Sequence, residues 1–568
     1  MIIKTQGDRL LAFNSYKYKD RLKSIGFRYD PSEKVWWIKS NSKKLLQFSE
    51  EFASENLQIC SLSSQAIKKA VSDNKAKERY LKSVDDYKKS LFESEQLNIS
   101  EFEVGDKYTP YRHQKIAMLF FYKSKVGNLY GDCGVGKTAI ILWLIKRLYN
   151  ENKLNKALIV CPKSIMESAW LEDSTKFTPE LEVCILNRGS KINRIILTKD
   201  FEGHPKYKKQ YDKNYSIYVI NYEALNAIKD LLPYYGFDLV AFDEVSKLKN
   251  HKSAVSKNCV MISKNLPRRY VMSGTPAPNS EKEYFTQMKI LDEDIFGSSF
   301  YSFTQKWFEP TGFMGFNLVL DPFKEEEFVK KIYSYGLRFK QKDCVDLPDT
   351  QDLFLHATMS KKLSKAYTQL QKEKVLEINS REIPVSNPLA EMLMLRQLSG
   401  GIHREDEEIV RCSEHKLEVL KEFLDSNPTE QVVIWACFVK SIEDIKELLG
   451  NKARALYGKT SSEELRHYTT AFKNGEIPYL VCNPKSVAHG HTWTNSRIEI
   501  FYELGPSSEE YEQARKRILR IGQTRKCLYY HILSKTEDGK DTIDKIMYEL
   551  VTKKLKNSTE IMDRFKSL

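Results

Sequence analysis

Residues 129–140 read "LYGDCGVGKTAI", in which Gly131, Gly136, Lys137 and Thr138 satisfy the spacing G-x-x-x-x-G-K-T, with Gly134 as a further glycine inside it. Glycines let backbone N–H groups approach phosphate oxygens closely, and the N-terminus of a following helix favours the same negative charge. Lys137 is the residue to reach the β- and γ-phosphates and Thr138 the one to hold Mg²⁺. About one hundred residues later "DLVAFDEVSKLKN" ends an apolar run at Asp243 and Glu244. An acid pair at a strand's carboxyl end faces the loops where ligands gather. Asp243 is suited to bind Mg²⁺ through water, and Glu244 to orient and deprotonate an attacking water. In "EEYEQARKRILRIGQ", Arg517 and Arg520 are three apart and share one face if the segment is helical. Paired guanidiniums can neutralise charge developing on a γ-phosphate. The chemistry these residue types suggest is hydrolysis of ATP with Mg²⁺.

The elements around these residues point to parallel sheets. "VGNLY" precedes the phosphate loop and "TAIILWLIKRLY" follows it at helical spacing. "KALIVCP", "YSIYVINY", "FDLVAFDE" and "RRYVMSG" are short continuous apolar runs, as strands buried on both faces require. The pattern restarts with "QVVIWACF", "ARALYG", "IPYLVCN", "SRIEIFYE" and "CLYYHIL". Strands alternating with helices give two doubly wound α/β lobes, of which only the first carries a phosphate loop. The expected organisation is a small α+β module over 1–50, a charged helical connector over 51–104, lobe 1 over 105–280, an aromatic-rich helical insertion over 281–345, lobe 2 over 346–545 and a C-terminal helix over 546–568.

Composition narrows the partner. The chain has 568 residues and a formal net charge of +14, which favours a polyanion, nucleic acid before acidic membrane. Its ten cysteines form no C-x-x-C pair, which argues against zinc and disulfides and for a reducing compartment. The start "MIIKTQGDRL" has no apolar signal segment, and no run of about 18 apolar residues is present, so no membrane span is expected. Cytoplasmic location in a bacterial or phage-infected cell, or nuclear location if the source is eukaryotic, and a monomeric state are the expectations.

The ordered motifs resemble the Swi/Snf-type branch of superfamily-two helicase-like ATPases over roughly residues 105–550. "YRHQ", with Tyr111 and Gln114, resembles the adenine-reading segment. "ALIVCPKSIMESAW" and "VINYEAL" resemble DNA-contacting motifs, "DEVSKLKN" the acid-pair motif, and "MSGTPAPN" the S/T-G-T-P segment. "RFKQKDCVDLP" is similar to the entry to the second lobe, "LYGKTSSEELR" to its G-x-T-x-x-x-x-R block, and "QARKRILRIGQ" to its arginine-finger motif. The resemblance implies two RecA-like lobes, nucleotide contact by Gln513, and coupling of hydrolysis to the DNA side through Ser273 and Thr275. It also implies movement along duplex DNA. Candidate DNA contacts are Lys163 and Ser164, Asn221, and Lys247 and Lys249, all at strand carboxyl ends, with Lys485 and Thr492 in the second lobe. Two departures stand out: Ser246 occupies the usual histidine position, so an interlobe hydrogen bond is weakened or rebuilt, and "NPKSVAHGHTWT" keeps Gly490 but replaces other glycines.

The segment "FNSYKYKDRLKSIGFRYDPSEKVWWI" resembles the HARP-type module of annealing helicases, which is associated with forked or branched DNA. Arg28, Lys34, Trp36 and Trp37 set cations beside flat apolar faces that can grip backbone and stack on bases. Neighbouring residues on a strand point to opposite sides, so at least one tryptophan is expected in a core. The leading expectation is an ATP-driven translocase that remodels forked or branched DNA by fork regression, branch migration or annealing. A tail-loaded strand-separating helicase and an ATP-switched clamp that does not move are the alternatives.

Overall fold

The computed structural model describes all residues except 106, 265, 312–316, 374, 379–380, 385–386, 406–407, 488–491 and 565–568. Gly490 lies outside the described residues. The chain divides into two compact units, Met1–Glu95 and Gln96–Leu568.

The first unit is a five-stranded sheet with helices on one face. Its strands are β1 (Ile2–Gln6), β2 (Arg9–Phe13), β3 (Arg28–Asp30), β4 (Val35–Lys39) and β5 (Gln58–Ile59), in the order β3-β4-β2-β1-β5. α1 (Lys19–Ile25) and α2 (Ser42–Glu51) bury Leu22, Ile25, Leu45 and Phe48 against Ile3, Leu10, Ala12 and Ile38 of the sheet. The sheet extends past the expected boundary at residue 50, because β5 pairs in parallel with β1. The long helix α3 (Ser61–Glu93) packs Ile67 and Ala70 into the same core, so its first turns belong to the module rather than to a free connector.

The second unit holds two wholly parallel sheets, as the runs of apolar residues require. In lobe 1 these are β6 (Val126–Gly131), β7 (Ala157–Cys161), β8 (Val183–Leu186), β9 (Ile217–Asn221), β10 (Leu239–Asp243) and β11 (Arg268–Ser273). An antiparallel pair, β12 (Phe308–Thr311) and β13 (Asn317–Leu320), stands apart, and β14 (Gly336–Phe339) returns to the main sheet. Its order is β14-β6-β11-β10-β7-β9-β8. Every residue of β6, β7 and β10 is buried, which explains why these strands lack alternation.

Residues 281–345 are therefore not a purely helical insertion. Helices Tyr284–Leu291, Phe300–Trp307 and Glu325–Tyr333 pack Phe285, Phe303, Trp307 and Phe328 into the lobe-1 core together with Phe296 from the turn between the first two, and β14 pairs with β6 at the edge of its sheet. The aromatic richness reflects core packing.

Lobe 2 contains β15 (Thr350–Thr358), two short antiparallel pairs, β16 (Val375–Ile378) with β17 (Arg381–Pro384) and β18 (Ile402–Glu405) with β19 (Glu408–Arg411), and then β20 (Val432–Trp435), β21 (Ala453–Leu456), β22 (Tyr479–Cys482), β23 (Ile498–Phe501) and β24 (Cys527–Lys535). Its main sheet runs β15-β24-β23-β20-β22-β21. The terminal helix Ile543–Arg564 docks Met547 and Val551 into the lobe-2 core. Among the described residues, no helix is long and apolar enough to cross a membrane.

Candidate active site

The phosphate loop joins β6 to α5 (Lys137–Asn150), with α4 (Arg112–Ser124) packed beside it. Gly134 and Gly136 have φ of +91° and +81°, a region that penalises residues bearing a Cβ. A Cβ on Gly136 would lie 2.2 Å from Gln114 Nε2, so the start of α4 is pressed against the loop. His113 Nε2 is 2.8 Å from the Val135 carbonyl oxygen, and Gln114 Nε2 donates to the same oxygen at 3.2 Å. Gln114 Oε1 in turn accepts from the Tyr111 N–H at 2.9 Å, and the half-exposed Tyr111 ring stacks on His113. Lys137 Nζ donates to the Gly131 carbonyl at 2.8 Å, which holds the ammonium inside the loop. Thr138 follows in the first turn of α5.

Asp243 ends β10 next to the loop strand's neighbour β11, in register with Met272. Its Oδ2 accepts from Trp170 Nε1 at 3.1 Å and its Oδ1 from the Glu244 N–H at 3.0 Å, while Tyr222 donates its hydroxyl to the Asp243 carbonyl at 2.7 Å. Burial, reinforced by the charge of Glu244, pushes the Asp243 carboxyl up to about 7, against the opposing pull of Lys137. Such a partly uncompensated buried acid pair suits a cation, and Asp243 with the Thr138 hydroxyl would hold Mg²⁺ there alongside phosphate oxygens. When bound, that ion would neutralise phosphate charge.

Glu244 sits at φ +53°, a conformation that costs a non-glycine residue roughly 1–3 kcal/mol. The turn directs its Oε2 to Ser273, whose hydroxyl donates to it at 3.4 Å. Ser273 Oγ accepts from the Thr275 N–H at 3.2 Å, so the S-G-T-P segment stands against the acid pair.

The arginine pair comes from lobe 2 but not from a helix. Helix Ser508–Arg515 stops first, and Arg517 and Arg520 lie in the turns that follow. The shared helical face expected of them is thus replaced by backbone anchoring. Arg517 Nε donates to the Gln513 carbonyl at 2.8 Å, and Arg520 Nε to the Lys516 carbonyl at 3.0 Å. Arg517 is 2% exposed. Burial and then the like charge of Arg520 lower it to about 9, while Cys133 of the phosphate loop and Glu244 act in the opposite sense. Burial lowers Arg520 too. The Arg520 Cγ lies 3.9 Å from where a Gly134 Cβ would stand. Two cations of lobe 2 thus face the loop and acid pair of lobe 1.

Other expected residues fall elsewhere. Gln513 is buried; its side chain donates to Glu509 at 3.5 Å, and its backbone carbonyl accepts from Arg517. Thr492 Oγ1 accepts from Arg520 Nη1 at 2.7 Å, which ties it to the arginine pair. Lys163, Lys247, Lys249 and Lys485 are exposed, and Ser164 and Asn221 half-buried, with Asn221 bonded to Glu223. Burial raises the Glu510 carboxyl, and Lys485 of lobe 2 with Lys247 and Lys249 of lobe 1 oppose that rise. Ser246 donates its hydroxyl to Glu509 across the lobes, so the link put in question by the missing histidine is rebuilt. Trp170 and His113 went unnoticed in the sequence because each reads as an ordinary residue inside a longer motif.

The SNF2-related domain family matches residues 36–400 and the helicase conserved C-terminal domain matches residues 415–522. The chain belongs to the SNF2-related family. It is a helicase-family ATPase, the chemistry for which its loop, acid pair and arginine pair have the right residue types. The putatively named protein p41 of Acyrthosiphon pisum secondary endosymbiont phage 1 is 23% identical over 78% of this chain and 95% of its own length. The mouse chromodomain-helicase-DNA-binding protein 1-like is 22% identical over 78% of this chain, which spans about half (48%) of that relative. Among solved structures, the Sulfolobus solfataricus SWI2/SNF2 ATPase core in complex with dsDNA shows 21% identity, a TM-score of 0.39 and coverage of 78% of this chain and 90% of that one.

Proposed function

We propose that this SNF2-related ATPase moves along duplex DNA and remodels forked or branched junctions. The observation that carries the motor reading is the composite site: the arginine segment of lobe 2 lies on the phosphate loop of lobe 1, with Arg520 Cγ 3.9 Å from where a Gly134 Cβ would stand. In this reading Lys137, Thr138 and Mg²⁺ on Asp243 hold the triphosphate, Tyr111 and Gln114 receive the base, and Glu244 activates water. The arginines meet the charge that develops on the γ-phosphate. Hydrolysis then loosens the lobes, and Ser273 and Thr275 carry the change away from Glu244. Lys247, Lys249 and Lys485, drawn from both lobes, form the part of the DNA track that alternates with this closure. Such phosphate contacts supply affinity without sequence preference.

The junction reading rests on the first unit. Trp36 packs partly into its helix-covered core, so Trp36 is the tryptophan less suited to stacking. Trp37 points to the opposite face, where the Arg9 guanidinium lies 4.4 Å from its ring centre and Arg28 is its cross-strand partner. Lys4 stands over Phe13 on the same face, and Lys4, Arg9, Arg28 and Lys39 are exposed. A sheet face of cations interleaved with rings suits backbone and exposed bases together.

The test is ATP turnover of the full chain on a fork, a four-way junction, plain duplex and single strand. We expect stimulation by all duplex forms, greatest on the branched ones, and loss of that extra stimulation in Trp37→Ala with Arg9→Ala. Equal stimulation by duplex and branched DNA would remove the junction reading. Directional unwinding of a simple tailed duplex would favour the strand-separating alternative.

A further inference from the structure

Gln341 opens the short helix Gln341–Cys344 immediately after β14, and it is 2% exposed. Its four contacts reach both halves of the composite site. The Gln341 N–H donates to Asp132 Oδ2 of the phosphate loop at 3.0 Å. Its Nε2 would stand 2.8 Å from a Cβ on Gly134, so the amide lies directly on the loop backbone. The same Nε2 donates to the Leu519 carbonyl at 3.2 Å, and its Oε1 accepts from Lys516 Nζ at 2.7 Å. Lys516 immediately precedes Arg517, and Leu519 immediately precedes Arg520.

The anchor beneath Gln341 is rigid. Arg338 of β14 donates to Asp132 Oδ1 at 2.7 Å and to the Phe339 carbonyl at 2.8 Å, with both Arg338 and Gln341 buried. A charge-assisted pair of this kind fixes the loop-side partner. On the open side, Asp132, Gly274, Glu512 and Lys516 line a cleft of about 550 Å³. The amide of Gln341 thus bridges the phosphate loop and the arginine segment.

We propose that Gln341 is a positioning residue that sets the register of Arg517 and Arg520 against the phosphate loop. It touches neither substrate nor reacting atoms. Its effect is to hold the two guanidiniums where γ-phosphate charge develops, an arrangement worth most in the transition state. This rests on the assignment of the arginines to the ATP site. Arg520→Ala tests that assignment separately, because near-normal turnover in Arg520→Ala would remove the assignment itself, whatever Gln341 does.

The experiment compares Gln341→Ala, Gln341→Glu and Lys516→Gln in the full chain, measuring DNA-stimulated kcat and KM and the binding of ADP with and without aluminium fluoride as a γ-phosphate mimic. We expect kcat to fall about tenfold or more in Gln341→Ala, while KM and ADP affinity change less than threefold. The affinity gained on adding aluminium fluoride should shrink by a similar factor. Gln341→Glu keeps the acceptor for Lys516 but loses the donor to Leu519, and should fall between Gln341→Ala and the parent chain. Lys516→Gln guards against a Gln341 variant that fails to fold, and should reproduce the loss of kcat and of the fluoride-dependent gain. Losses shared equally by ADP and ADP–aluminium fluoride, or unchanged kcat in folded Gln341→Ala and in Lys516→Gln, would overturn the proposal.

Discussion

At the residue scale, Glu509 shows how a charge can be set by its neighbours. Burial and the facing Glu244 raise its carboxyl to about 7, and the Ser246 hydroxyl bond opposes them. A carboxyl whose folded value stands above its unfolded value of 4.5 favours the folded chain when protonated. That contribution is complete below the unfolded value and is lost as pH rises through about 7. We therefore expect thermal stability of the parent chain, relative to Glu509→Gln, to decline between pH 5 and 8, by an amount on the order of 3 kcal/mol at most. A difference that stays flat across this range, followed by differential scanning fluorimetry, would contradict the assigned environment. The nearby lysine of the phosphate loop makes a second prediction. Lys137→Ala should retain fold and lose ATP turnover by about a hundredfold or more, equivalent to about 2.7 kcal/mol or more of transition-state stabilisation. Near-normal turnover would refute its role.

At the element scale, the structure shows why some parts could be read from residues and others could not. Strands β7 and β10 are buried on both faces, so their apolar runs announce them. The phosphate loop is readable because its glycines meet a conformational demand that few other residues satisfy. β14 was hidden: "GLRF" is short, follows an aromatic helix and contains an arginine whose partner, Asp132, is about two hundred residues away. β15, at the edge of its sheet, alternates too weakly to stand out. The arginine segment carries helical spacing but leaves the helix at Arg515, and the Gln513 and Lys516 carbonyls accept from the arginine side chains. Gln341 gave no signal at all, since only tertiary proximity to Gly134 and Lys516 gives it meaning. The integration of residues 281–345 into lobe 1 has its own consequence. Trp307→Ala should destabilise the second unit by about 3–5 kcal/mol, through loss of a buried ring in contact distance of Phe296 and Phe328. Chemical denaturation followed by far-UV circular dichroism would show it, and an unchanged midpoint would mean that the aromatic cluster is an appendage to the lobe.

At the scale of the whole molecule, the proposed nucleotide chemistry and DNA contact draw on residues of both lobes of the second unit. Ser246 with Glu509, and Gln341 with Lys516, connect the hydrolytic side of lobe 1 to the arginine segment of lobe 2. Lys247 and Lys249 of lobe 1 and Lys485 of lobe 2 all oppose the effect of burial on the Glu510 carboxyl. In the proposed reading, a change in lobe spacing at one set of contacts alters the other, and this coupling is what would drive translocation. The most direct test is displacement of a third strand from a duplex carrying a triplex block, with no tail and no junction. The account predicts ATP-dependent displacement by the parent chain, none without ATP, and none by Arg520→Ala. Duplex-stimulated ATP turnover without displacement of the third strand would contradict it.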